Sequence, residues 1–144
     1  MNGLSHLNGA TALVTGANGF IGSHLVDQLL DSGCTVHGLV RQSSDLKWLD
    51  ASRVHLHRVD LAQADFQIPA LEDIDYIFHC AGLTKAKSRS GYFKVNATAC
   101  SNLYEQCQKR AGRIKGIVHL SSLAATGPSP QGGLVDETTP CRPV

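Results

Sequence analysis

The sequence predicts an α/β domain built on a doubly wound parallel sheet. Three observations lead there. Strand-sized apolar runs alternate with helical patterns along nearly the whole chain, the order that a parallel sheet with crossover helices requires. The first strand runs into three glycines spaced Gly-x-x-Gly-x-x-Gly, and a helical pattern begins at once. The composition, 42% hydrophobic and 17% charged over 144 residues, suits one globular domain with a real core.

The first strand is Thr11-Ala12-Leu13-Val14-Thr15, and the glycines are Gly16, Gly19 and Gly22. Gly16 permits a tight turn off the strand. Gly19 lets backbone N–H groups approach an anion with no Cβ in the way, and Gly22 lets the helix lie close to the sheet. From Ile21 to Ser32, Ile21, Leu25, Val26, Leu29 and Leu30 recur at helical spacing, and Gly33 stands where a C-cap is expected. Thr35-Val36-His37-Gly38-Leu39-Val40 reads as the second strand. Strand, glycine turn, helix and strand within about 30 residues make a βαβ unit. The helix start offers N–H donors and a positive dipole end, which is what the pyrophosphate of a dinucleotide needs.

Val54 to Val59 predicts a third strand, closed by Asp60-Leu61. Its apolar positions alternate with His55, His57 and Arg58, the pattern of an edge with one wetter face. A short amphipathic piece from Ile68 to Ile74 is interrupted early by Pro69. Tyr76-Ile77-Phe78-His79-Cys80-Ala81 is almost wholly apolar and predicts a central fourth strand. Gly91 to Ala111 predicts a long helix, with Phe93, Val95, Ala97, Leu103 and Tyr104 on its packed faces. Ile114 to Ser122 is the fifth strand, and Gly127 to Val144 reads as loop, rich in proline, glycine and polar residues.

Several classes fall away. A net charge of +1 gives no broad basic field for nucleic acid or an anionic membrane. The apolar runs are strand-sized, too short to span a bilayer, and no secretory leader pattern opens the chain. Cys34, Cys80, Cys100, Cys107 and Cys141 form no Cys-x-x-Cys pair and suit a reducing cytoplasm. Cys100 and Cys107 share a helix face, but two residues do not make a metal site. His37, His55, His57, His79 and His119 share no ligand spacing, so no metal is expected. Five strands are visible where a doubly wound dinucleotide fold usually carries six, and a long loop is an improbable end to a compact domain. Residues 1–144 therefore read as an incomplete dinucleotide-binding domain, truncated after the fifth strand.

The residues also resemble a family. Thr15-Gly16-Ala17-Asn18-Gly19-Phe20-Ile21-Gly22-Ser23-His24-Leu25 resembles the opening of extended short-chain dehydrogenases/reductases, the NAD(P)-dependent epimerase/dehydratase group with a Rossmann domain. Asp60-Leu61, His79-Cys80-Ala81-Gly82, Val95-Asn96-Ala97-Thr98, Leu120 to Gly127 and Asp136-Glu137-Thr138-Thr139-Pro140 resemble later motifs of that group, in order, so the resemblance covers essentially the whole chain. It implies cofactor binding at Gly16, Gly19 and Gly22, with Phe20 and Ile21 supplying backbone N–H groups. It implies an adenine border at Asp60 and Leu61, where Asp60 either accepts from the adenine amino group or simply ends the strand. Cys80, Ala81 and Gly82 would shape the cofactor wall, and Cys80 in an apolar strand would not be a nucleophile. Asn96 would lie behind the active site. Ser122 would polarise the substrate oxygen, with Ser121 as its structural neighbour.

Arg41 stands where NAD-preferring members place an acidic residue, and Gln42-Ser43-Ser44 follow it. A guanidinium there suits a 2′-phosphate, so NADP is favoured over NAD; the alternatives are an exposed Arg41 stacked on the adenine or simply solvated, and a ribose contact from Asp45. Lys85, Lys87 and Arg89 fall near the expected substrate mouth, as a solvated loop or as partners for a phosphate-bearing substrate. The family's Tyr-x-x-x-Lys pair is missing: four residues after Tyr76, Tyr92 and Tyr104 stand Cys80, Asn96 and Gln108. A phenol without a neighbouring ammonium is a poor base at neutral pH, so the chain alone is expected to be inactive. The resemblance implies a small-molecule substrate, most commonly a nucleotide sugar, and a homodimer built through the long helix. The alternatives are a ketone or hydroxysteroid-like reductase, towards which Thr126-Gly127-Pro128 leans, and a non-catalytic dinucleotide-binding module.

Overall fold

The computed structural model describes residues 5–63, 65–110, 112–129 and 132–143. Five strands, β1 (Thr11–Thr15), β2 (Thr35–Val40), β3 (His55–Arg58), β4 (Tyr76–His79) and β5 (Gly116–His119), form one sheet in the order β3-β2-β1-β4-β5. Every pairing is parallel. Helix α1 (Phe20–Asp31) connects β1 to β2, and the β4–β5 connection carries α2 (Arg89–Phe93), a π-helical turn (Lys94–Thr98) and α3 (Ala99–Arg110). This is the doubly wound Rossmann arrangement that the alternation predicts.

Alternation along each strand sends side chains to two cores. Ala12, Val14, Val36 and Val40 pack with Val26 and Leu29 of α1 on one face. Leu13, Leu39 and Ile77 pack with Ala99, Leu103 and Cys107 of α3 on the other. The end of α1 follows from Gly33: at φ +83° it takes the left-handed conformation, donating from its N–H to Leu30 O while Cys34 N–H reaches Leu29 O.

Asp75 fastens the sheet at its N-terminal edge. Its buried carboxylate accepts from Thr11 N–H (2.9 Å), from the Arg113 guanidinium (3.0 and 3.3 Å) and from Lys115 Nζ (3.0 Å). These donors, Arg113 first, hold its carboxyl well below the usual carboxylate range. One side chain thus ties the starts of β1, β4 and β5 together.

Four expectations change. The third, fourth and fifth strands are shorter than the runs that predict them, their paired registers ending at Arg58, His79 and His119. The 68–74 piece is a 3₁₀ turn (Leu71–Asp73) that buries Ile68, Leu71 and Ile74. The long helix starts at Arg89, where Ser88 Oγ accepts from Gly91 N–H (3.2 Å), and residue 111 lies outside the described residues. Its packed face is also different: the π-turn resets the helical phase, so Ala99, Cys100, Leu103 and Cys107 are buried while Phe93 and Ala97 are exposed. β3 is the sheet edge that its polar alternation predicts, and β4 is interior.

Candidate functional site

A cleft of about 210 Å³ opens at the C-terminal ends of β1 to β4. There the chain leaves β1 for β2 on one side while β4 flanks β1 on the other, the switch point where doubly wound sheets bind ligands. Gly16, at φ +65°, begins the turn off β1. A Cβ on Gly16 would lie 2.9 Å from both Cα and N of Ala81, so the β1 and β4 turns touch backbone to backbone. A Cβ on Gly22 would collide with the carbonyl oxygen of Gly16, which seats α1 directly against the loop. Gly19 is the N-cap of α1, and no side chain caps the N–H groups of the first turn.

The cleft wall contains Gly16, Gly19, Arg41, Ser44, Asp60, Leu61, Cys80, Ala81 and Gly82, all named by the sequence reading. The loop after β2 is held in place at several points. Ser44 Oγ accepts from Arg41 N–H (3.0 Å), Arg58 donates to the carbonyls of Arg41 and Gln42 (3.3 and 2.9 Å), and Asn18 donates to Asp45 O (3.0 Å). Asp60 Oδ1 accepts from Ala62 N–H (3.0 Å), so this carboxylate closes the turn after β3 while lining the cleft. Burial pushes the Cys80 thiol up, away from thiolate chemistry.

Other sequence candidates sit beside the cleft. Phe20 and Ile21 are exposed at the start of α1, and Ser43 is exposed in the β2 loop. Asn96 acts on backbone: its side-chain amide accepts from Leu83 N–H (2.8 Å) and donates to Leu83 O (2.9 Å), clamping the loop after β4. Ser121 and Ser122 follow β5, and Ser122 Oγ accepts from Ala124 N–H (3.2 Å). Lys85, Lys87 and Arg89 are exposed.

Sequence reasoning missed Thr15, Asn18, Leu39, Val40, Val59, Ala62, Leu83, Val95 and Ala99, all of which line the cleft. Most are apolar strand and helix ends whose pattern reports burial only. Asn18 had a signal, a polar residue inside the glycine turn. Thr15 had a weaker one: its buried hydroxyl accepts from Ala81 N–H (3.1 Å), bridging the two turns. The sequence spacing groups no metal ligands, yet the β4–β5 pairing and α3 bring His79, Cys100 and His119 together, with ligand atoms within 4.8 Å of one another. Among the described residues no helix is long and apolar enough to cross a membrane.

The family model described as "NAD dependent epimerase/dehydratase family" matches residues 12–144. The chain belongs to that family. This epimerase/dehydratase chain is 36% identical over 124 residues to "Sterol demethylase protein B" of Methylococcus capsulatus, covering 85% of the chain and 37% of that protein. It is 32% identical over 110 residues to the human "Sterol-4-alpha-carboxylate 3-dehydrogenase, decarboxylating", covering 76% of the chain and 28% of that protein. Among solved structures it is similar to MoeE5 in complex with UDP-glucose and NAD, at a TM-score of 0.74 and 30% identity, covering 93% of the chain and 43% of the other. The epimerase/dehydratase chain thus spans less than half the length of these relatives.

Proposed function

We propose that this chain is the dinucleotide-binding part of an NAD(P)-dependent oxidoreductase, with NADP favoured over NAD. The switch-point cleft supports this most: glycines at 16 and 22 let the β1 turn, the β4 turn and α1 pack backbone to backbone, which sets the uncapped start of α1 at the cleft where a pyrophosphate would lie. Phe20, Ile21 and Gly22 would supply N–H donors there, Asp60 and Leu61 would border the adenine, and Cys80, Ala81 and Gly82 would line the path towards the nicotinamide. A bound nicotinamide supplies hydride exchange with a secondary carbinol or ketone carbon. Ser122, whose oxygen already accepts a backbone N–H, keeps its own proton to donate to a substrate oxygen. With no Tyr-x-x-x-Lys in the sequence, the 144 residues hold no activated phenol to take the hydroxyl proton, and the chain by itself is inactive.

Arg41 and Ser44 on the cleft wall, with Ser43 between them in sequence, favour a 2′-phosphate. Titration calorimetry with NADPH and NADH tests this. We expect NADPH to bind at least about tenfold tighter, a difference of about 1.4 kcal/mol, and Arg41→Ala to remove that difference. Equal affinities or tighter NADH would overturn the NADP preference and leave the dinucleotide site standing; no binding of either would overturn the site.

For the substrate we favour a ketone or hydroxysteroid-like carbinol, a reading supported by the sterol-named relative at 36% identity. A nucleotide sugar is the second reading, supported by the similarity to MoeE5, which was solved with UDP-glucose. Nicotinamide reduction by the whole protein, with a 3-hydroxysteroid and with UDP-glucose in parallel, separates them. The five free thiols support a reducing, cytoplasmic setting, and the family resemblance supports a homodimer of the whole protein.

A further inference from the structure

We infer that His79, Cys100 and His119 form a binding site for one zinc-class divalent cation between β4, α3 and β5. Among the described residues this is the one place where three metal-ligating groups converge. His79 and His119 are register partners on adjacent strands, and their rings stand edge to face with centroids 5.0 Å apart. Cys100, buried on α3, places its sulfur 3.0 Å from His79 Nε2.

Each imidazole is already oriented from behind. His79 Nδ1 lies 2.7 Å from Thr15 Oγ1, and His119 Nδ1 lies 2.5 Å from the Tyr104 hydroxyl. Metal-binding histidines are typically held in this way, one ring nitrogen on an outer partner and the other on the metal.

The donor set selects the ion class. Two imidazoles and one thiolate suit zinc or cobalt in tetrahedral geometry; calcium and magnesium ask for oxygen ligands that this cluster lacks. Tetrahedral bonds of about 2.0–2.3 Å put ligand atoms about 3.3–3.6 Å apart. His79 Nε2 and Cys100 Sγ, at 3.0 Å, need part only slightly, and exposed His119 is the ligand with room to move. On binding, the Cys100 thiol releases its proton to solvent and the sulfur lone pair forms the metal bond; without metal that thiol donates to Asn96 O (3.3 Å). Water completes the fourth position. Thr15 and Ala99 line the dinucleotide cleft beside these ligands, so the ion would brace the cleft floor.

The test is titration of the reduced, tag-free full chain with Co²⁺, read by sulfur-to-cobalt charge-transfer absorption and then by displacement with Zn²⁺. We expect one ion per chain. Cys100→Ser should abolish the band, and His119→Ala should weaken binding by at least the roughly tenfold to hundredfold that losing an outer partner costs. Cys141→Ser should leave binding unchanged. His119 is exposed, so its variant keeps the fold and decides the matter alone if Cys100→Ser does not fold. No thiolate band, a band that survives His119→Ala at full affinity, or a band lost in Cys141→Ser would overturn the site.

Discussion

A single methyl group separates working from broken versions of the glycine turn. At Gly16 an alanine would be left-handed, at a cost of about 1–2 kcal/mol, and its Cβ would press on the Ala81 backbone, which cannot step aside. At Gly22 the collision is with the Gly16 carbonyl. Gly19 differs: its φ of −76° suits any residue, and a Cβ would sit 3.2 Å from Gly16 O, tight but adjustable. Gly112 has nothing within 4 Å. We therefore expect Gly16→Ala and Gly22→Ala to lower the melting temperature by several degrees and abolish dinucleotide binding. Gly19→Ala should keep the fold but weaken binding, and Gly112→Ala should change neither. Thermal denaturation paired with calorimetry checks the series, and equal effects at positions 16 and 112 would contradict it. All three glycines of the turn were legible in the sequence. That Ala81 is what Gly16 must avoid was not, because nothing in local spacing links residues 65 positions apart.

At the scale of elements, the β2–β3 pair carries an acid-sensitive cluster. The register sets His37 opposite His55 and Leu39 opposite His57. His37 Nδ1 lies 2.9 Å from His57 Nε2, and the His37 and His55 rings are 4.8 Å apart. Burial, then repulsion from His57 and His55, push His37 down to about 4, with Asp73 opposing; burial and His55 also push His57 down. An unfolded imidazole titrates near 6.5, so between about pH 6.5 and 4 the unfolded chain binds more protons than the folded one. The stabilisation is therefore complete above about pH 6.5 and is lost as pH falls towards 4. We expect urea unfolding to show a loss on the order of a few kcal/mol across that window, reduced in His57→Gln; a midpoint flat with pH would contradict the cluster. The alternation of His55, His57 and Arg58 announced an edge strand, and β3 is that edge. The π-turn within the long helix had no sequence signal, since each residue there tolerates an ordinary α-helix.

Across the whole molecule, the last strand is the exposed one. Among the described residues β5 ends the sheet order with one ladder edge unpaired, and Ile117, Val118, Leu120 and Leu123 are all exposed, Leu123 at 81%. An apolar edge of this kind is a template for association. The 144-residue chain should show a mass that rises with concentration in light scattering, and Val118→Lys should return it towards the monomer. A monomer at every concentration would sink this expectation.

Period and punctuation in the sequence by themselves determined that strands and helices alternate, that glycines sit at the first turn, and that Gly33 ends α1, because these depend on neighbours a few residues apart. Only the tertiary structure decided what each turn touches. Thr15 bridges to Ala81, Asn96 clamps Leu83, Asp75 gathers Thr11, Arg113 and Lys115, and His79 meets Cys100 and His119. Those contacts join residues from 13 to 66 positions apart in sequence. Parallel pairing sets such partners side by side, and hydrophobic periodicity, which reports only which way a side chain faces, carries no record of which residue it will meet.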